Sequence, residues 1–415
     1  MKKFKFVPVL MVTVLLVFIA GVALADVTEI TIWHTRREYI PVDRYEEFHA
    51  ANPHIRINYD AVPWEEQFSA YLRAFVVGNA PDIFHLEHGV IPMLAEQGMV
   101  KDMTAIKTMW EEENPDDFQD LAPLSWTALA YDGVIYGMGQ QPFTRQLNYR
   151  IDLYEEAGLD APVYWDEVLD NARKLRTDDM LGYAQEGSRL AMPEKTYNMY
   201  QQMGGQFPGN VIQLDSEAGI AVLDFLQTIM REGLAHPDTL SWDHAHMRAA
   251  FIEGNTAQNF MGAHMYPLVQ QNFEYNVDWA IVPLVKRRGA EDEATFGANV
   301  FGYILSSQSE APLEDIMKVL QHLASPDIMA EINWDYAPGI RASVYHRPEF
   351  VENLPWWDDV LLEAIAFAEA FPVHPKSPLM YEIIHDARQE ALSDPDVDVA
   401  EMAARHQAAI NALLD

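Results

Sequence analysis

The stretch IRINYDAVPWEEQFSAYLRAFVVGNAPDIF, residues 55–84, changes its hydrophobic period twice. Its first five residues alternate apolar and polar side chains, which is the period of a strand. The apolar positions from Phe68 to Val76 then follow the period of a helix, and Gly78 ends it. Residues Pro81 to Phe84 begin a second strand. The stretch therefore predicts a strand–helix–strand unit.

The same alternation extends to both sides of this unit. Ile30 to Trp33 alternate as a short strand does, and a helical stripe runs from Val42 to Phe48. The positions from Ile91 to Gln97 predict another helix, with Gly98 as its stop. A β-α-β-α-β-α order predicts a mostly parallel sheet covered by helices, so the fold class is α/β.

The second half of the chain is richer in helices. Trp165 to Leu175 predict one helix, and Ser216 can cap another that ends at Gly233. No flexible linker separates two halves, so we expect domains joined by short and multiple crossings. Further strands are predicted at 258–261, 277–282 and 300–305, and further helices at 313–323, 328–334 and 399–414.

Length and composition limit the classes of protein. A chain of 415 residues, 49% hydrophobic and 22% charged, is expected to form two or three globular domains. Its 28 basic and 63 acidic residues give a net charge of −35, which makes nucleic acid a poor partner because phosphate binding needs a basic surface. The absence of cysteine excludes disulfides, thiolate metal sites and a cysteine nucleophile.

Residues 1–25 have the pattern of a secretory signal peptide. Three lysines precede an apolar run from Phe6 to Ala20, and Ala23-Leu24-Ala25 supplies small residues for cleavage. The alternative is an uncleaved membrane anchor, although the run is short for a span. Cleavage after Ala25 would leave 25 basic and 63 acidic residues, a net charge of 25 − 63 = −38. We therefore expect a soluble, periplasmic mature protein.

Signatures of catalysis and of metal binding are missing from the sequence. There is no Gly-Lys-Ser/Thr phosphate loop, no Gly-x-Ser-x-Gly elbow and no His-Glu-x-x-His. Two histidine-containing groups lack a recognised ligand spacing, and we expect them to be polar side chains that face a cleft. No metal and no cofactor is predicted. The two groups are His85, Glu87 and His88, and Asp243, His244 and His246.

Tryptophans stand where strands are predicted to end. Trp33 follows the first strand, Trp64 follows the strand at Tyr59, and Trp242 lies in a loop. In open α/β sheets, ligands bind beyond the carboxyl ends of the strands. An aromatic face beside charged side chains suits a carbohydrate, because the ring covers C–H groups while the charges bind hydroxyls. Core packing is the alternative for each of these rings.

GNAPDIF at 78–84 is the most distinctive of several short segments spread along the chain. The others are ITIWH (30–34), FHAANPHIRI (48–57), LAEQG (94–98), DLYEEAGL (152–159), WDE (165–167) and FIEGNTA (251–257). In this order they resemble the extracellular solute-binding proteins of ABC sugar importers, of the maltodextrin- and glycerol-phosphate-binding type. Arg150 and Tyr164 depart from the family pattern, as does the longer GQQP at 139–142.

The resemblance implies a two-lobed periplasmic binding protein fold of the class II type. The ligand cleft would lie between α/β lobes that more than one chain crossing joins. By analogy, the N-terminal lobe holds 26–139 and 284–332, and the C-terminal lobe holds 140–283 and 333–415.

The resemblance also implies ligand-binding residues at strand ends, at a crossing and in a C-terminal helix. Trp33 and Trp64 join this set because they stand at strand ends, and Asn299 and Arg341 because they stand near crossings. The residues carried over from the family are Arg36, Arg37, Glu38, Glu87, His88, Thr144, Arg145, Tyr197, His264 and Tyr381.

The implied function is that of a substrate-binding protein of an ABC importer. Such a protein catalyses no reaction: it captures a sugar or oligosaccharide, closes on it, and delivers it to a membrane permease, and we expect it to be a monomer. Two alternatives stay open. Arginines at 36, 37, 145 and 341 favour an anionic ligand such as a uronate, a phosphate ester or a carboxylate. A secreted glycoside hydrolase would need two carboxylates set across a bond.

Overall fold

The computed structural model describes residues 27–34, 42–63, 66–188, 194–335 and 339–415. The predicted signal peptide, residues 1–25, lies outside the described residues and stays a prediction. Within those described ranges, no helix combines the length and the apolar character that a membrane crossing requires.

Eleven strands within the described ranges form two main sheets and one small hairpin. The first sheet has the order β11-β10-β3-β1-β2, with β6 on the other edge of β10, and the second has the order β8-β7-β9. The strands are β1 (Thr28–His34), β2 (Ile55–Ala61), β3 (Ile83–Glu87), β4 (Ala130–Tyr131), β5 (Val134–Ile135), β6 (Gly137–Phe143), β7 (Arg145–Arg150), β8 (Gln258–Gly262), β9 (Trp279–Val282), β10 (Gly297–Leu305) and β11 (Glu369–Ala370).

Helices cover both sheets. Their positions follow the predicted order, and α8 and α19 have the predicted bounds. The helices are α1 (Val42–Ala51), α2 (Gln67–Val76), α3 (Ile91–Glu96), α4 (Thr104–Glu113), α5 (Pro115–Gln119), α6 (Leu124–Thr127), α7 (Ile151–Glu156), α8 (Trp165–Leu175), α9 (Glu194–Gln202), α10 (Glu217–Arg231), α11 (His244–Ile252), α12 (Tyr266–Gln270), α13 (Leu313–Leu323), α14 (Pro326–Asp335), α15 (Ala342–Tyr345), α16 (Pro348–Asn353), α17 (Leu362–Ala366), α18 (Ser377–Ser393) and α19 (Val399–Leu414).

The first sheet is mixed, which corrects the expectation of a mostly parallel one. β1 pairs in parallel with β2 and β3, as the alternation of strand and helix predicts. β10, however, is antiparallel to both β3 and β6. A parallel neighbour needs a crossover connection. Helices link the first three strands in this way, and the helices α13 to α17 link β10 to its parallel neighbour β11. β10 instead enters this sheet after the chain has built the second one.

Local caps fix the helices of the second sheet. Ser216 caps α10 as predicted, with its Oγ accepting a hydrogen bond from the Gly219 amide at 3.1 Å. At α8, Glu167 accepts hydrogen bonds from the amides of Val163 (2.8 Å) and Tyr164 (3.2 Å). This helix start therefore does not depend on a hydroxyl at the cap, and Tyr164 departs from the family pattern without loss of the helix.

The chain passes from the first sheet to the second at one residue. β6 ends at Phe143 and β7 begins at Arg145, so Thr144 alone separates them. The predicted lobe boundary after residue 139 falls inside β6, which pairs with β10 of the first sheet. The lobe boundaries stay a prediction, whereas the crossing at Thr144 is a feature of the structure.

Candidate functional site

The site begins where β3 ends. Glu87 lies opposite Phe301 of β10, and Asn299 of the same strand lies opposite Phe143 of β6. The amide Nδ2 of Asn299 donates a hydrogen bond of 3.3 Å to Oε2 of Glu87. The sheet register therefore gathers a carboxylate, an amide and two aromatic rings at the edge of the first sheet that borders the crossing.

The site continues onto the second sheet through the crossing at Thr144. Arg145, the first residue of β7, lies opposite Gly262 of β8. A Cβ at position 262 would collide with the guanidinium of Arg145, so only glycine lets that side chain lie across β8. The ring of His264 meets the ring of Phe143 edge-on at 5.7 Å. Residues from both sheets thus meet around Thr144.

Helix α9 supplies the next part of the site. Its first residue, Glu194, accepts a hydrogen bond of 2.7 Å from Nη2 of Arg145, and both side chains are largely buried. Tyr197, one turn later, is buried, with its ring 5.2 Å from Phe371 and 5.9 Å from Tyr381. α9 therefore presents an acid and an aromatic ring beside the crossing.

Tyr381 of α18 lies next to the first sheet. A Cβ built on Gly89, two residues after Glu87, would lie 2.6 Å from the Tyr381 hydroxyl. The N-terminal part of α18 therefore lies directly against the end of β3. We name the set Glu87, Asn299, Arg145, Glu194, Tyr197 and Tyr381 the crossing cluster.

Burial and charge shift the titration of this cluster. Burial raises the pKa of Glu87 from its ordinary value of 4.5 to about 7, the Asn299 amide opposes this, and the charge of Glu194 adds to it. Burial also raises the pKa of Glu194, although the guanidinium of Arg145 works against that shift. Ionising Glu87 is therefore unfavourable in the folded protein.

The Glu87→Gln variant is expected to be the more stable protein at alkaline pH. Because the folded-state pKa of Glu87 is raised, the folded form holds more protons than the unfolded form between pH 4.5 and about 7, so wild-type stability falls as pH rises through that window. The raised pKa corresponds to about 3 kcal/mol. Urea unfolding of both proteins at pH 4 and pH 8 measures the change in their difference. A difference that is the same at both pH values would contradict the shift.

The structure places His88, which the resemblance implies as a ligand contact, against two backbone groups. Its Nδ1 accepts a hydrogen bond of 3.2 Å from the Val300 amide, so its Nε2 carries the proton and donates to the Phe371 carbonyl at 2.9 Å. Burial lowers its pKa to about 4, so the ring is neutral. The imidazole fills the gap between β3 and β11 on the edge of β10, and both its nitrogens are engaged with backbone.

Arg341 is not brought together with the crossing cluster. It is 1% exposed, and its Nη1 lies 2.7 Å from Asp117 and 3.2 Å from Asp120. Its Nε donates to the carbonyl of Ala324. These partners belong to α5, to the residue after it and to the end of α13. Arg341, predicted to bind ligand from its position near a crossing, therefore lies in a buried ion-pair cluster in the structure.

Of the remaining predicted residues, some are described by the structure and others lie outside the described ranges. Trp33 packs with Tyr71 and Phe84 around a small cavity on the α2 side of the first sheet, and none of the residues that line this cavity belongs to the crossing cluster. The hydroxyl of Thr144 accepts a hydrogen bond of 2.8 Å from Gln146. Arg36, Arg37, Glu38 and Trp64 lie outside the described residues.

The structure adds buried charges that sequence reasoning missed. Lys195, next to Glu194, pairs with Glu186 at 3.0 Å, and their side chains are 5% and 4% exposed. Burial lowers the pKa of Lys195 to about 8. Although burial alone would raise the pKa of Glu186, the charges of Lys195 and Arg388 hold it below its ordinary value. No sequence motif marks this group, and Arg388 lies 202 positions from Glu186 along the chain.

Metal binding finds no support in the described ranges, where no group of three or more candidate ligands could hold an ion. Asp243 instead caps α11, accepting hydrogen bonds from the amides of Ala245 and His246 and lying 2.7 Å from the His246 ring. This cap accounts for the occurrence of Asp243 beside His246.

Comparison with known proteins identifies the family of this chain. The sequence profile described as bacterial extracellular solute-binding protein matches residues 37–330, which is most of the chain. The chain belongs to this family. One relative of the solute-binding protein, in Sinorhizobium fredii, is named as the periplasmic-binding protein of an amino-acid ABC transporter. The two are 24% identical over 254 residues, which is 58% of this chain and 56% of the relative, so the chain spans just over half the relative's length. A Brucella abortus relative, named as a binding protein, is 21% identical over 68% of each chain.

Solved structures share the fold of this solute-binding protein. The Listeria monocytogenes ABC substrate-binding protein in complex with cycloalternan has a TM-score of 0.76 at 19% identity, covering 94% of this chain and 99% of that one. A solute-binding protein from Agrobacterium radiobacter in complex with ribitol has a TM-score of 0.75 at 18% identity, covering 94% and 99%. Identities this low establish the two-lobed fold alone.

Proposed function

We propose that the protein is the substrate-binding component of an ABC importer, and that it captures an uncleaved carbohydrate or polyol at the crossing cluster. The observation that carries the proposal is the convergence of both sheets at Thr144. Glu87 and Asn299 reach it from the first sheet, and Arg145 from the second. A ligand held by both sides would bind the closed form more tightly and so shift the protein toward closure.

The chemistry of the cluster suits hydroxyl groups. Carboxylate, amide and guanidinium groups offer planar donors and acceptors, and the rings of Tyr197 and Tyr381 meet at an interplanar angle of 80° beside them. A sugar presents hydroxyls at its edge and C–H groups on its face, which matches polar groups next to aromatic rings.

The charges favour this reading over an anionic ligand. Four arginines motivated the anionic alternative, and the structure describes two of them. Arg145 is neutralised by Glu194, and Arg341 by Asp117 and Asp120. A guanidinium already paired with a carboxylate gains little from a second anion. Neither described arginine therefore supplies an open anion site.

The protein would act without turnover, outside the inner membrane and with a membrane permease as its partner. The family to which it belongs is one of binding proteins. The hydrolase alternative gains no support, because Glu194 is held in an ion pair with Arg145. A glycosidase needs its second carboxylate free to act as nucleophile or base.

Purified protein is expected to bind carbohydrate at about micromolar affinity, or about −8 kcal/mol, since one or two ring contacts and a few charged hydrogen bonds can supply this after ordering costs. Native mass spectrometry of freshly purified protein identifies a carried ligand, and isothermal titration with mono- and oligosaccharides and polyols measures its affinity. The ligand is expected to be recovered intact.

Two outcomes would contradict the proposal. Recovery of a cleaved sugar would indicate that the protein is a hydrolase. Binding of uronates or sugar phosphates that weakens steeply with salt, with no binding of neutral sugars, would support the anionic alternative.

A further inference from the structure

Among the residues that the structure describes, one carboxylate of the crossing cluster has no cation at ion-pair distance. Arg145 and Glu194 form a complete ion pair, as do Lys195 and Glu186 behind them. Glu87 accepts the 3.3 Å hydrogen bond from Asn299, and no cationic side chain of the described chain lies within ion-pair distance of it. Among the described residues, Glu87 is therefore the acid of the crossing cluster without an ion-pair partner.

The nearby buried cations do not compensate Glu87. Lys195 and Arg388 act on Glu186 and Glu194. Within the described part of the chain, the charged side chain that acts on Glu87 is Glu194, which is of like sign. The unfavourable ionisation of Glu87 is the consequence of this arrangement. A positive charge placed beside Glu87 would remove the penalty.

The surroundings of Glu87 suit an ammonium group. Phe301 lies directly opposite it in the sheet, and the Tyr381 hydroxyl lies against Gly89, two residues further on. Tyr381 in turn meets the ring of Tyr197 at 5.9 Å. A carboxylate beside aromatic rings is an arrangement that binds alkylammonium groups, since the anion pairs with the charge and the ring faces attract it.

We propose that Glu87 binds a protonated amine carried by the ligand, so that the preferred ligand is an amino sugar or amino polyol. This inference rests on the proposed carbohydrate-binding function and names the ligand class of the same cluster. The hydroxyls would bind Asn299 and the Arg145–Glu194 pair, and the amine would lie between Glu87 and the tyrosines.

Matched ligand sets test the inference. Each set holds a hexose, its 2-amino-2-deoxy form and the N-acetylated form: glucose, glucosamine and N-acetylglucosamine, with the galactose and mannose counterparts. The three differ at one position, and only the amine carries charge. Isothermal titration at pH 7 is expected to give at least one set in which the amine binds about tenfold or more tightly than both partners.

The Glu87→Gln variant identifies the residue responsible. It keeps the shape of the side chain and its hydrogen bond to Asn299 but removes the charge. The ratio of amine to hexose affinity is expected to fall from about ten to about one. Glu113→Gln, a substitution of the same chemistry on an exposed side chain of α4, is expected to leave the ratio at its wild-type value.

The possible failures are distinguishable. Equal binding of amine and hexose, or an unchanged ratio in the Glu87→Gln variant, overturns the amine inference and leaves the carbohydrate function standing. Binding of putrescine, an amine without hydroxyls, in the absence of any sugar binding overturns the carbohydrate function itself.

Discussion

Replacing Arg145 by Met is expected to weaken ligand binding by about 10- to 100-fold. The substitution removes a charged hydrogen-bond donor from the crossing cluster, and such bonds contribute about 1.5–3 kcal/mol. It also removes the ion-pair partner of Glu194, which is largely buried beside Glu87, so that proton uptake by one of the two acids becomes more favourable. Titration of the identified ligand measures the loss, and urea unfolding is expected to show a destabilisation of about 3–5 kcal/mol.

Arg341→Met provides the matched control, because it removes another buried arginine from carboxylate partners. Its partners are more exposed, with 38% of the Asp117 side chain and 19% of the Asp120 side chain reaching solvent. The cost in stability is therefore expected to be smaller, about 1–3 kcal/mol. Ligand affinity is expected to stay within about threefold of wild type. An equal loss of affinity in both variants would mean that the effect of Arg145 is transmitted through general destabilisation.

The contrast between these arginines shows how far sequence reasoning reaches. Both were predicted to bind ligand. Arg145 stands at a crossing set by the ends of β6 and β7, so its place follows from the order of the strands. Arg341 is paired with carboxylates more than 200 positions earlier in the chain. Nothing local marks such a partner, since a loop arginine looks the same whether a ligand or an aspartate neutralises it.

Elements with a clear period and clear caps were predictable, and β6 shows why others were not. Its sequence, GMGQQPF, is buried at every position, so it has no alternation and resembles a loop. One of its polar side chains finds a distant partner, since Gln140 donates to the Tyr303 hydroxyl at 3.1 Å. β6 also contains Pro142, and its register with β10 is irregular near Phe301. Its residues have a low intrinsic propensity for a strand, so pairing with β10 is what stabilises it.

The backbone contacts of His88 could not be predicted from the sequence for a similar reason. Its position at the end of β3 follows from the local pattern, and a polar ring at such a position is typical of a ligand contact. In the structure the ring nitrogens of His88 are bonded instead to the Phe371 carbonyl and the Val300 amide, both more than 200 residues away. Only the assembled sheet reveals that β10 has an unpaired backbone position between β3 and β11 for an imidazole to fill.

Gly89→Ala is expected to lower ligand affinity about tenfold with little effect on the free energy of unfolding. The new methyl group would lie 2.6 Å from the Tyr381 hydroxyl, which is closer than two such atoms approach. Tyr381 must therefore move, and because it is the far end of a side chain it can do so cheaply. Its ring then leaves the place where it meets Tyr197, and a change of about 1.4 kcal/mol in binding corresponds to tenfold. Titration of the ligand gives the affinity.

The double variant Gly89→Ala with Tyr381→Phe separates this steric effect from others. Removing the hydroxyl leaves Cζ as the nearest atom at 3.4 Å, so the ring can return, and the double variant is expected to bind several-fold more tightly than Gly89→Ala alone. Gly98→Ala controls for the loss of a glycine. It meets no atom within 4 Å but has φ of +66°, so it is expected to cost about 1 kcal/mol of stability without changing affinity. If the double variant bound no better than Gly89→Ala, then the contact between α18 and the end of β3 would not govern the position of Tyr381 in the site.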